Sequence, residues 1–242
     1  SSDAKFDHHI NCVIKAGQKM SAWVLRTFRT RKLEPMMVLL KTMVISKVEY
    51  ASILWSPIDQ RNIGKLEAIQ NRFTSRITNF RYVDQNTGIL ICHTNYWERL
   101  RRLKIYSLER RRERYMILYM YKIHIGSVPD LGFTKEYNDR TKTNFVPKFR
   151  RRGKCRTLTY SSFFTQGPLL FNLLPVELRE LPDHSNSNKL LITQFKVSVD
   201  KWLGMIPDQP SITGLQRAAR TNSILDQMHR HGREVRTKWM SQ

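Results

Sequence analysis

Apolar residues recur at helical spacing through most of the first hundred positions. Phe6, Ile10, Val13, Ile14, Met20, Val24 and Phe28 fall on one side of a helix over residues 6–28. Leu39, Leu40, Met43, Val44 and Tyr50 form a second stripe with Lys41 and Lys47 outside it, in a helix opened by Pro35. That helix stops at Ser56-Pro57, because the residue before a proline is pushed out of the α region. Pro57 suits the first turn of a third helix, with Ser56 as its cap and Asp59 at capping-box spacing. Ile63, Leu66, Ile69, Gln70, Phe73 and Ile77 make its inner face. Arg61, Lys65, Arg72 and Arg76 lie outside, and the pattern fades near Asn79. Three helices with short links predict a small bundle with a basic exterior.

Residues 80–95 read as a connector containing the turn signal Asn86-Thr87-Gly88. Thr94 or Asn95 can cap a short helix over Tyr96–Leu103. Ser107 can cap a longer one over Leu108–Ile125, stopped by Gly126 with Pro129 beyond. Residues 127–156 suggest loop with one or two short strands, and Arg156–Phe164 has strand-like composition before Gly167-Pro168. Leu169–Leu174 predicts a short helix ended by Pro175, followed by Val176–Leu181 and a polar linker over Pro182–Asn188. Leu190–Leu203 predicts a helix with Leu191, Phe195, Val199, Trp202 and Leu203 inward. Beyond Pro207 and Pro210, Ser211 or Thr213 could cap a last helix to about His231, with sparse apolar residues.

Charge sharpens this picture. The 242 residues are enough for a core, with 40% hydrophobic residues and a net charge of +22. Of the 42 Lys and Arg, 22 fall in residues 1–121, so the basic character belongs to the folded body and not to a tail. Such a body calls for a polyanion, nucleic acid first and an anionic membrane surface second. No stretch is apolar enough to span a membrane. Cys12, Cys92 and Cys155 stand far apart, which predicts neither a zinc site nor a disulfide framework and fits a reducing, intracellular compartment.

Two runs concentrate the charge. The first holds Arg99, Arg101, Arg102, Lys104, Arg110, Arg111, Arg112 and Arg114, with Tyr96, Trp97, Tyr106 and Tyr115 interleaved. Arginine suits forked phosphate contacts and the aromatics suit stacking on bases. A solvated helix face paired with Glu98, Glu109 and Glu113 is the competing reading. The second run, over residues 140–156, includes Arg150, Arg151, Arg152, Lys154 and Arg156 in a predicted loop. It reads as a strand or duplex contact, a flexible basic linker or a nuclear localisation patch. Catalysis finds little support. There is no Asp-Asp pair for two metal ions, no phosphate-binding glycine loop, and no third ligand for the His8-His9 or His229/His231 pairs.

Several stretches resemble a known family. Glu49, Tyr50, Ala51, Ser52, Trp55, Ser56 and Pro57, then Ile63, Leu66, Glu67, Gln70 and Arg72, are similar to the thumb of non-LTR (LINE-type) retrotransposon reverse transcriptases. Phe6-Asp7-His8-His9-Ile10, with Ala16 and Leu25-Arg26, resembles the segment after that family's primer-grip strand. ERLRRLKIYSLERRR (98–112) resembles its next element. FNLLPVELRE followed by TQFKVSVDKWL resembles the end of its post-polymerase region. The resemblance covers about Phe6 to Leu203. It departs from the family in lacking the Cys/His zinc knuckle of some members, and in a tail beyond Leu203 without a counterpart.

Periodicity and resemblance together predict a mainly α chain: a helical thumb bundle (1–82), an Arg-rich helical connector (83–130), a small mixed α/β or irregular C-terminal domain (131–204) and a basic helical or partly disordered tail (205–242). The resemblance implies a part of an RNA-directed DNA polymerase that grips template–primer or target duplex during target-primed reverse transcription in the nucleus. The family's metal-binding carboxylates lie in the palm, upstream of these motifs. No cofactor is therefore expected here, Mg2+ being implied for the palm. The expected partners are RNA, DNA or RNA–DNA hybrid and the palm and fingers of the same parent protein. The thirteen basic residues Arg99 to Arg114 and Arg150 to Arg156 named above are the expected contacts, with Tyr50 and Trp55 assigned to packing. A scaffold module docking on the palm or on an acidic partner is the alternative.

Overall fold

The structure, a computed structural model, describes residues 6–78, 81–83, 90–148, 156–180, 188–210 and 222–241, with the backbone alone at 81–83, 90–93 and 156–158. The described residues are mainly helical, with two short antiparallel hairpins. The chain divides into two compact units between Glu109 and Arg110.

In the first unit, α1 (Asp7–Thr27) packs on α5 (Gln60–Thr74) and on a helix running from α2 (Leu33–Leu39) through a π-helical stretch, Leu40–Ile45, into α3 (Ser46–Glu49). Ile10, Ile14, Val24, Leu40, Val44, Leu66, Ile69 and Phe73 form the core, as their spacing predicts, joined by Val48. Gly17 lets α1 come close: a Cβ there would sit 2.7 Å from Val48 Cγ2 and 2.9 Å from Ile69 Cδ1. Arg31 closes the end of α1 by donating to the carbonyls of Leu25, Phe28 and Thr30.

The Tyr50–Pro57 connection differs from its reading. Tyr50 is 79% exposed, so its assignment to packing is corrected, while Trp55 is buried. The indole Nε1 of Trp55 donates to the Tyr50 carbonyl at 2.9 Å. Ala51 takes the left-handed conformation, φ 51°, between α3 and the single turn α4 (Ser52–Trp55). The chain therefore turns sharply at Tyr50, and the ring that the helical stripe would have buried swings out. The cap of α5 is Asp59 and not Ser56: its carboxylate accepts the N–H of Asn62 at 3.0 Å. Past α5, β1 (Arg81–Val83) pairs with β2 (Leu90–His93), where a connector was expected, and the Asn86-Thr87-Gly88 signal lies outside the described residues. Asn95 caps α6 (Tyr96–Leu103).

The second unit is built around α7 (Leu108–His124), of which only the first two residues belong to the first unit. Met116, Ile117, Leu118, Met120, Tyr121 and Ile123 are buried, so the helix is covered on nearly every side. Gly126, φ 71°, ends it: Ser127 N–H reaches the Lys122 carbonyl at 2.9 Å and Gly126 N–H reaches that of Ile123 at 3.2 Å. This is a Schellman arrangement, which only glycine adopts without a steric cost. The hairpin β3 (Thr134–Asn138) and β4 (Thr143–Val146) follows.

The predicted strand over 156–164 is instead α8 (Arg156–Ser161) and the start of α9 (Phe163–Asn172). Helix α9 continues through Pro168. The Phe164 carbonyl that Pro168 cannot satisfy accepts the Lys148 N–H at 3.4 Å. Next come α10 (Val176–Arg179) and α11 (Asn188–Leu203), with all five predicted inward residues of α11 buried. Tyr121 stacks on Phe195, ring centroids 3.6 Å apart. The last helix, α12 (Ile224–Met240), is capped by Ser223 and extends nine residues past its predicted end at His231. The proposed caps Ser211 and Thr213 lie outside the described residues.

Candidate nucleic-acid interface

The first basic run separates into buried and exposed members. Arg99 is 3% exposed. Its guanidinium donates to the Thr94 carbonyl, to Asn71 Oδ1, to the Asn71 carbonyl at 3.3 Å and to Thr74 Oγ1 at 3.3 Å. Burial pulls its pKa down, partly offset by Tyr96. Arg99 thus ties α6 to the last turn of α5 and has no donor left facing solvent for a phosphate.

Arg110 and Arg112 are 0% and 1% exposed. Arg110 donates to the Pro207 carbonyl at 2.7 Å and the Ile206 carbonyl at 3.4 Å, and lies 4.0 Å from Asp208. Arg112 Nε and Nη1 meet no hydrogen-bond partner in the protein. These three arginines leave the set that can touch a ligand. The physical reason for Arg110 and Arg112 is the central position of α7, which turns these two positions inward and leaves only Arg111, Arg114 and Tyr115 partly open in its N-terminal half. Arg114 grips Asp200 through both carboxylate oxygens, at 2.5 and 2.7 Å. Arg111 donates to the Tyr115 hydroxyl at 3.1 Å and lies over its ring.

Glu113, among these arginines, is buried. It accepts the Ser223 hydroxyl at 2.5 Å and the Ile224 N–H at 2.8 Å, and so caps α12 from α7. Burial raises its pKa to about 7 against the opposing pull of Ser223, Arg110, Ile224 and Arg112. Glu67 plays the corresponding part in the first unit. It accepts the Tyr96 hydroxyl at 2.5 Å and the Glu109 N–H, in the first turn of α7, at 2.8 Å. Gln70 donates to Tyr96 Oη at 3.2 Å and to the Tyr106 carbonyl at 3.1 Å. The Glu and Gln of the thumb-like motif are accordingly structural here, and Tyr96 is engaged in holding α6.

Arg101, Arg102 and Lys104 remain exposed. Arg101 and Arg102 both pair with Glu98, Arg102 Nε at 2.8 Å. The Arg102 hydrogen bond is the main cause of the lowered Glu98 pKa. Arg72 on α5 and Arg76 just past its end are exposed as well. Sequence reasoning placed Arg72 and Arg76 outside the inner face but did not count them as contacts. The signal was their position on the outer side of α5.

No family model, curated protein or solved structure matches the chain.

Of the second run, Arg150, Arg151, Arg152 and Lys154 lie outside the described residues, and Arg156 opens α8, its backbone alone described. The FNLLPVELRE stretch is structural: Asn172 Oδ1 accepts the N–H groups of Asn144 and Phe145 at 3.1 and 3.3 Å, and Arg179 donates to Asn144 Oδ1 and to the Lys142 carbonyl. Both side chains hold β4, at positions that sequence reasoning left without a role. Among the described residues no group of three or more His, Cys, Asp and Glu could hold a metal ion. His9 packs edge-on against Trp55, ring centroids 5.4 Å apart. An open groove of about 480 Å3 beside the β3–β4 hairpin is lined by Phe145, Val146, Leu169 and Leu173 among others, with Glu136 in its wall. No helix among the described residues is long and apolar enough to cross a membrane.

Proposed function

We propose that this chain is a nucleic-acid-binding part of a non-LTR retrotransposon reverse transcriptase, gripping template–primer or target duplex in the nucleus through phosphate contacts. The observation that carries the reading is the exposed set Arg101, Arg102 and Lys104 on α6 and its C-cap, a helix that Arg99 fixes on α5, together with exposed Arg72 and Arg76 on and just past α5. The ordered series of thumb-like motifs supports it. Contacts of this kind position a duplex without reading its sequence. Titration against RNA–DNA hybrid, duplex DNA and single-stranded RNA at three salt concentrations tests it. Affinity should fall roughly a thousandfold between low and moderate salt, and Arg101→Ala with Arg102→Ala and Lys104→Ala should weaken it further. Failure to bind any of the three at physiological salt would overturn the reading.

Exposed apolar residues favour a second reading, docking on the polymerase palm. Val38, Tyr50 and Leu54 are 60%, 79% and 70% exposed. Such docking would weaken little with salt, and Tyr50→Ser with Leu54→Ser would abolish it while leaving hybrid binding unchanged.

A further inference from the structure

Helix α12 carries a basic surface that neither arginine run includes. Its inner side is apolar and buried through Ile224, Met228 and Val235. Three bonds fix its rotation: those of Ser223 and Ile224 to Glu113, and that of Gln227 Nε2 to the Gln209 carbonyl at 2.8 Å. The outer side then presents Arg230, Arg233 and Arg236, spaced three apart and all exposed, whereas Lys238, also exposed, sits two residues past Arg236 and so on the opposite flank of the helix. Two acids oppose them: Asp226 lies near Arg230, and Glu234 is 3.9 Å from His231. Among the described residues Arg233, Arg236 and Lys238 form no ion pair. At the end of α11, Lys201 places Nζ 6.0 Å from the centre of the Trp239 ring, adding a fifth cation to the same end of the unit.

We propose that this face of α12, with Lys201 beside it, binds the phosphodiester backbone of nucleic acid as a contact separate from the α5–α6 surface. The inference rests on the nucleic-acid reading above and extends it to the second unit. Arg230 to Arg236 cover about 9 Å of helix, comparable with the axial rise of about three phosphates on one strand. Three of the four cations are arginines, whose planar fork suits phosphate oxygens. A lipid surface fits less well, because a membrane-lying helix turns its apolar side to the lipid, and here that side is buried on the unit.

The test is fluorescence anisotropy of the whole chain with a labelled RNA–DNA hybrid and with duplex DNA over a salt series. The triple variant Arg230→Ala, Arg233→Ala, Arg236→Ala should bind at least tenfold more weakly, and its log–log salt slope should be shallower by about 2 to 3. Lysine at the same three positions should restore the slope. Circular dichroism checks that helix content is kept, as alanine favours a helix. A control triple on α1, Lys15→Ala, Lys19→Ala, Arg26→Ala, removes the same charge elsewhere. An equal loss in the control would show a diffuse charge effect and overturn the proposal. Wild-type binding that is lost on changing Arg101, Arg102 and Lys104 but kept in the α12 triple would overturn this inference alone. Absence of wild-type binding would overturn both readings. Binding to phosphatidylserine vesicles but to no nucleic acid, lost in the α12 triple, would put lipid in its place.

Discussion

Two glycines, each inside a helix of the first unit, make a sharp test of the packing. Replacing either by alanine gains about 1 kcal/mol of helix propensity. At Gly64, on α5, an added Cβ meets nothing within 4 Å, so the gain stands undiminished. At Gly17, on α1, the Cβ would lie 2.7 Å from Val48 Cγ2 and 2.9 Å from Ile69 Cδ1, well inside the roughly 3.5 to 4 Å of a carbon–carbon contact. Ile69 can rotate its terminal methyl away. Val48 is 1% exposed and β-branched, so it yields only if α1 and α3 separate. Overpacking of this kind costs about 1–3 kcal/mol, which outweighs the propensity. Gly64→Ala should therefore stabilise the first unit by about 1 kcal/mol and Gly17→Ala should destabilise it by a similar amount. Hydrogen exchange of the α1 and α5 amides reads the difference within that unit. A gap of about 2 kcal/mol is roughly thirtyfold in opening equilibrium. Val48→Ala should remove much of the Gly17→Ala penalty, a coupling of about 1 kcal/mol. If Gly17→Ala protects α1 as much as Gly64→Ala protects α5, the close approach of α1 to α3 and α5 is refuted.

Other outcomes follow from single contacts. Trp55→Phe removes the indole N–H from the Tyr50 carbonyl and should cost about 1–2 kcal/mol by urea denaturation, whereas Tyr50→Ala should leave the midpoint in place; a costly Tyr50→Ala would put the ring back in the core. Arg99→Met strips the Thr94 carbonyl and Asn71 of their donors and should destabilise by about 2–3 kcal/mol; Arg101→Ala with Arg102→Ala should leave the melting temperature unchanged and weaken hybrid binding, and a reversal of these effects would argue against the buried assignment of Arg99. Glu113 should make stability pH-dependent. Its folded pKa of about 7 lies above the ordinary glutamate value of 4.5, so the folded state keeps a proton that the unfolded chain releases, and stability falls as pH rises through that window by about 3 kcal/mol. Glu113→Gln should abolish this component, and a variant with the wild-type pH profile would show that Glu113 does not titrate there.

Periodicity alone determined a good deal of this protein. Helix α1, the inner faces of α5 and α11, the limits of α6 and the glycine stop of α7 are legible because each depends on residues within a few positions of one another. Local patterns failed where distant chain supplied the missing partner. Phe163 and Phe164 look like strand residues, yet they open a helix whose proline-orphaned carbonyl is satisfied by Lys148, sixteen residues before it in the chain. Tyr50 belongs to an apolar stripe by count, but the left-handed Ala51 and the Trp55 bond turn the chain before its ring can be covered.

The basic runs show the same division. Composition establishes that the body is strongly positive and directs attention to nucleic acid. It cannot separate Arg99, Arg110 and Arg112, which are buried, from Arg101, Arg102 and Lys104, which face water, because all of them lie within fourteen residues. Helical spacing assigns a side chain to a face of its own helix. Whether that face meets solvent, a carbonyl or a carboxylate depends on what packs there, and around α7 chain covers nearly every side. The tail reads as basic from its sequence, but which of its cations face outward is set by the anchoring of Ser223 and Ile224 on Glu113.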